Sequence, residues 1–120
     1  MEVVQFRQCS LLSSSVIKYK ELGPKLKDFV NFKLTNPIAP FGSSDKKFAS
    51  NGSYNTTVPN LRHAHLSPDV SIVYKVHDKN PMLIDMYGLL SHEELGTGNP
   101  SKANTQKTMA KRFSQQSFNE

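Results

Sequence analysis

The chain has 120 residues, 37% of them hydrophobic, with no tryptophan and a single cysteine. Fifteen Lys and Arg against ten Asp and Glu give a net charge of +5 and a pI near 9.4. That length argues for one domain, residues 1–120, with one modest core and no deep multi-substrate site. One cysteine, Cys9, excludes an internal disulfide and a thiolate metal cluster, and is expected as a small buried hydrophobe.

No apolar run approaches the ~20 residues of a spanning helix. The opening residues lack a cationic start followed by an apolar stretch, so the expected location is the cytoplasm. The basic excess favours a polyanionic partner or an acidic protein.

In chain order, Val3 to Phe6 predicts a short strand with apolar residues on both faces. Ser13, Ser14 and Ser15 offer an N-cap for a helical segment carrying Val16, Ile17 and Leu22. Gly23-Pro24 breaks it and starts a second helix, because proline suits the first helical position. Leu26, Phe29, Val30 and Leu34 are spaced for one face of that helix, with Lys25, Lys27 and Lys33 around it. Pro37 ends it, since Asn36 before a proline is pushed out of the helical region. Residues 38–60 are rich in Gly, Ser, Asn and Lys without periodicity, and are expected as a mobile surface loop.

Three β-like runs follow, at 61–66, 70–76 and 82–89, separated by short turns at 67–69 and 77–80. Short turns imply an antiparallel meander. Gly96-Thr97-Gly98 breaks the pattern, and Asn99-Pro100 opens a final helix towards Phe118. Its apolar stripe is Ala103, Met109, Ala110 and Phe113, and Lys102, Lys107, Lys111 and Arg112 are free for its exposed side. Helices segregated from an antiparallel sheet indicate α+β.

Three groups carry candidate chemistry: Arg62-His63-Ala64-His65, Asp69, and His92 with Glu93 and Glu94. His63 and His65 are two apart on a strand and share a face. Asp69 lies across a short turn, and His92 follows the last strand of the meander. Two imidazoles and a carboxylate beside Arg62 and Lys75 suit acid–base chemistry on a phosphodiester. Cleaving RNA through its own 2′-hydroxyl requires a base for that hydroxyl, an acid for the leaving 5′-oxygen, and cations around the phosphorane. Each residue also has an ordinary explanation: strand-end histidines sit at surfaces, Asp after Pro makes turns, and Glu93 and Glu94 suit a solvated acidic turn. A zinc site from His63, His65 and His92 lacks a helical metal motif or CxxC pair, so no metal is expected.

The stretch from Leu61 to Lys75 resembles the YafQ branch of the RelE superfamily of toxins. An Arg-x-Ala-His strand there leads through a Pro-Asp turn into an apolar strand ending Tyr-Lys. Gly88-Leu89-Leu90-Ser91-His92 resembles the segment that carries that branch's other catalytic histidine. Asp28-Phe29-Val30-Asn31-Phe32-Lys33 and the basic carboxy-terminal helix are similar to the YafO branch.

The resemblance implies a RelE-like fold, a small antiparallel sheet packed against N-terminal helices with a C-terminal basic helix. It implies a toxin of a toxin–antitoxin pair, a metal- and cofactor-independent endoribonuclease that cleaves mRNA on the ribosome. His65, Asp69 and His92 match functional positions, with His92 as acid and His65 and Asp69 sharing the base and orienting roles. Phosphate contacts fall to Arg62, Lys75, Lys46, Lys47, Lys107, Lys111 and Arg112, and base stacking to Phe113 or Tyr87. The expected partners are the ribosome, mRNA and an acidic antitoxin. The rivals are a non-catalytic inhibitor on the same scaffold, like the ParE proteins, and a generic RNA-binding module.

Overall fold

The computed structural model describes residues 3–79, 81–97 and 102–119. The first strand, β1 (Val4–Gln8), leads directly into helix α1 (Ser10–Lys18), then a 3-10 turn (Lys20–Leu22) and helix α2 (Gly23–Thr35). Helix α1 begins at Ser10, three residues before the expected cap. Burial of Leu11 and Leu12 draws the helix forward. The serine hydroxyls bond back within it instead, Ser13 to the Cys9 carbonyl at 3.3 Å and Ser15 to that of Leu12 at 2.9 Å. Cys9 is buried, and burial pushes its thiol pKa up.

Helix α2 ends where Asn36-Pro37 requires, but it is rotated from the expected face. Phe29 is fully buried, edge-on to Phe41 at 5.3 Å and to Tyr74 at 4.9 Å. One turn on, Lys33 is buried and Leu34 is 48% exposed, the reverse of the expectation. The reason is a set of acceptors that only the fold assembles. Lys33 Nζ donates to the Ala39 carbonyl at 2.6 Å, lies 3.9 Å from Asp45 Oδ2, and sits 4.8 Å from the centre of the Tyr74 ring.

Residues 38–60 are not a structureless loop. They contain a two-residue strand, β2 (Lys46–Lys47), and a short helix, α3 (Ser53–Thr57). Asp45, Phe48, Tyr54 and Val58 are buried anchors. Their irregular spacing hid them, because periodicity detects regular elements and not separate side-chain anchors.

The meander follows as expected: β3 (Leu61–His65), β4 (Val70–His77) and β5 (Met82–Ser91). Asn60, with φ 66, makes the turn into β3, a conformation Asn tolerates better than most residues. The sheet order is β1-β5-β4-β3-β2. Every neighbouring pair is antiparallel except β1 and β5, which are parallel, so the sheet is mixed where an antiparallel one was expected. The α1–α2 excursion physically permits this, since parallel neighbours need a long connection.

Alternation gives the sheet two covered faces. Phe29 of α2 lies against Tyr74, whereas Phe48 lies against His63, which pairs with Val73.

After β5 come a single helical turn, α4 (His92–Leu95), and helix α5 (Ala103–Ser114). Gly96 has φ 69, and a Cβ there would come within 3.1 Å of the Lys102 carbonyl, so both backbone and packing favour glycine. The expected Asn99-Pro100 start of the last helix lies outside the described residues. Ala110 and Phe113 are buried on α5, whereas Ala103 is exposed. The chain then returns to the first strand, Gln8 and Asn119 exchanging backbone hydrogen bonds of 2.7 and 2.8 Å. No helix among the described residues is long and apolar enough to cross a membrane.

Candidate functional site

His65 ends β3, and His92 starts α4 immediately after β5. Strand β4 lies between their strands, with Ser71 paired to both His65 and Leu90. This register brings the two imidazoles together, Nε2 to Nε2 at 3.0 Å, with both rings half-buried. Such a hydrogen bond needs one Nε2 to carry a proton and the other to lack one.

Both histidines are held by their backbones. The His65 N–H donates to Ser44 Oγ at 3.1 Å. The His92 N–H donates to the Asp69 carbonyl at 3.1 Å, so the Pro68-Asp69 turn fixes the start of α4. Asp69 thus joins the pair through its main chain, and its side chain is exposed.

A reciprocal cap sets α4. The Glu94 N–H donates to Ser91 Oγ at 3.1 Å, and the Ser91 N–H donates to Glu94 Oε1 at 2.9 Å. Glu94 also receives the Tyr19 hydroxyl at 2.5 Å and Lys18 Nζ at 3.0 Å, which hold its carboxyl below the usual range against the effect of burial. It is therefore a structural anchor and not the solvated turn residue expected. Its signature, Ser91 followed three residues later by Glu94, was present in the sequence.

The expected phosphate contacts are dispersed. Arg62 points away from the histidines, its Nε donating to Asp45 Oδ1 at 2.9 Å. Asp45 also accepts the Tyr74 hydroxyl and the Phe41 N–H, the latter at 2.7 Å. No local pattern marks Asp45, because its side-chain partners Lys33, Arg62 and Tyr74 come from three separate elements.

Lys75 pairs with Leu61 and Asp85, four residues along β4 from Ser71, roughly 13 Å away at strand rise. Lys46 and Lys47 are exposed on the edge strand, and Lys107, Lys111 and Arg112 are exposed on α5. Phe113 and Tyr87, named for base stacking, are only 1% and 6% exposed and pack on each other, so neither can receive a base.

His63 does not join the pair. Its ring packs on Phe48 at 4.5 Å between centres, and burial, then the neighbouring His65, hold its pKa below the usual value. His77, expected in a turn, ends β4 and meets Asp85 at 2.8 Å, while Arg7 pairs with the same carboxylate at 2.5 and 2.8 Å. That cluster lies towards the other end of β4 and β5 from His65 and His92.

The solved structures give this architecture a precedent. A chain of the E. coli DinJ–YafQ complex matches with a TM-score of 0.58 and 21% identity, over 79% of this chain and 98% of that one. YafQ alone from E. coli BL21(DE3) matches at 0.55 and 21%, and a YafQ variant with one histidine changed to glutamine at 0.56 and 20%, with the same coverage. The chain therefore shares the α+β fold of these YafQ structures. No protein-family model and no curated protein sequence matches it.

Proposed function

We propose that this chain, as one RelE-like domain, is the toxin of a toxin–antitoxin pair and cleaves mRNA on the ribosome. One observation carries the proposal: on a YafQ fold, the Nε2 atoms of His65 and His92 meet at 3.0 Å. With His92 as imidazolium and His65 as neutral imidazole, the pair supplies the acid and the base that transesterification needs.

In this reaction the 2′-oxygen attacks phosphorus and its proton passes to His65. The bond from phosphorus to the 5′-oxygen breaks, and His92 protonates that oxygen. The products are a 2′,3′-cyclic phosphate and a 5′-hydroxyl. The rings must part to admit the phosphate. Asp69 orients His92 through its carbonyl, and its exposed carboxylate is available to share the base role.

No metal or cofactor enters these steps. Exposed Lys46, Lys47, Lys107, Lys111 and Arg112 favour a polyanion or an acidic antitoxin. So small a set of acid–base groups gains most from a substrate already held in place, which favours a ribosome-bound message in the cytoplasm.

The test is expression without an antitoxin, followed by amino-acid incorporation and primer extension on a cellular message. Halted incorporation with cut message is expected. Normal incorporation with intact message overturns the proposal, and a supercoiling defect favours the ParE-like inhibitor.

A further inference from the structure

A chain of aromatic contacts leads from the core towards the histidine pair. Tyr87 meets Phe113 at 5.5 Å between ring centres, Phe113 meets Tyr54 at 5.7 Å, Tyr54 meets Phe48 at 4.5 Å, and Phe48 meets His63 at 4.5 Å. The first four rings are buried and His63 is half-buried, so it is the open end. Beside it lies a cavity of about 250 Å³ lined by Phe48, Ala49, Tyr54, His63, Thr97 and Gln106, with Lys47 and Gly52 completing its wall. That is below the ~300–1,000 Å³ usual for larger ligands, and suits one planar ring.

Position and chemistry agree. His63 precedes His65 by two residues on β3, so the two side chains stand on one face about 7 Å apart. A phosphate at His65 would place a neighbouring nucleobase within reach of the cavity. Gln106 Nε2 donates to the Gly96 carbonyl at 2.6 Å, which leaves Oε1 as a fixed acceptor. Such an acceptor can take a hydrogen bond from the exocyclic amino group of a base. Burial, then the neighbouring His65, lower the His63 pKa, which favours the neutral ring.

We propose that this cavity is a nucleobase subsite, in which His63, backed by Phe48, stacks on an amino-bearing base beside the scissile phosphate and Gln106 accepts from its amino group. The proposal rests on the RNA-cleavage function above for its substrate, and the test separates the two.

A message held on the ribosome carries 2-aminopurine next to the cleavage site and a 2′-deoxy sugar that blocks cleavage. The parental protein and His63→Phe should quench its fluorescence through stacking. His63→Ala should not, nor should Ala49→Leu, which fills the cavity from an exposed rim position without disturbing the core. On unmodified message the latter two variants should need roughly 5- to 100-fold more protein for half-maximal cleavage, the range that stacking one base supplies. Their maximal rates should stay within a few-fold, and replacing the neighbouring nucleotide by an abasic one should remove the difference between them and the parent.

Equal quenching by all four proteins overturns the subsite, as does His63→Phe cleaving as poorly as His63→Ala, which would make the ring nitrogen the needed feature. If the parent cleaves but quenching does not depend on His63, the subsite fails and the nuclease stands. If quenching follows the expected pattern without any cleavage, the nuclease fails and the subsite stands.

Discussion

His92 Nε2 contacts His65 Nε2 at 3.0 Å across 27 positions of chain, and the backbone N–H of each residue is anchored by its own hydrogen bond. If His92 is the leaving-group acid, His92→Ala should lower single-turnover cleavage by roughly 10²–10⁴. Binding to ribosomes should barely change, because affinity for a polyanion comes mainly from Lys and Arg. Reversing Lys107, Lys111 and Arg112 to Glu should weaken binding and its salt dependence. Ribosome pelleting and rates on both variants decide it. Parental cleavage by His92→Ala would make that residue an ordinary surface histidine.

Chelation should leave activity intact, since an imidazole base, an imidazolium acid and a 2′-hydroxyl need no metal ion. The purified protein is assayed in EDTA. Loss of activity that zinc restores would instead make His65 and His92 ligands.

Removing the α4 cap should affect stability and catalysis together. Ser91→Ala deletes the acceptor for the Glu94 N–H and should cost about 0.5–2 kcal/mol of unfolding free energy in urea. Cleavage should fall as well, because His92 is the first residue of the helix that the cap fixes. Unchanged stability with unchanged rate would show that the cap does not hold the histidine.

Lys33 should leave a signature in alkaline stability. Burial lowers its pKa to about 8, against the opposing pull of Asp45, whereas in the unfolded chain it stays near 10.5. Between those values the unfolded state binds more protons, so this residue makes stability rise with pH above 8, by at most about 1.4 kcal/mol per pH unit. Cys9 acts oppositely above pH 9, because burial keeps its thiol protonated when the unfolded one ionises. The buried Tyr54, Tyr74 and Tyr87 hydroxyls do the same above pH 10. The comparison with Lys33→Met therefore isolates the effect: the stability difference between the two proteins should change by about 1 kcal/mol per pH unit between pH 8 and 10. A difference that stays flat with pH contradicts the buried charge.

The sequence by itself determined what short-range pattern can determine. Gly23-Pro24 and Asn36-Pro37 bounded α2, and the β-branched runs between short turns gave the β3–β4–β5 meander. The meander's spacing placed the candidate histidines at strand ends. All of these depend on neighbours within a few positions, where backbone geometry alone dictates the outcome.

Tertiary structure decided the rest, because it turned on partners far apart in the chain. Arg62 was available to a phosphate until Asp45, 17 positions away, accepted its Nε proton. Lys33 could face inward only once the Ala39 carbonyl, Asp45 and the Tyr74 ring formed its surroundings. Phe113 and Tyr87 became core, not stacking surfaces, because they meet each other. A buried polar or aromatic side chain must find its partners wherever the fold brings them. No period in the sequence records where that is, so the direction each of these side chains takes could be read only from the packed molecule.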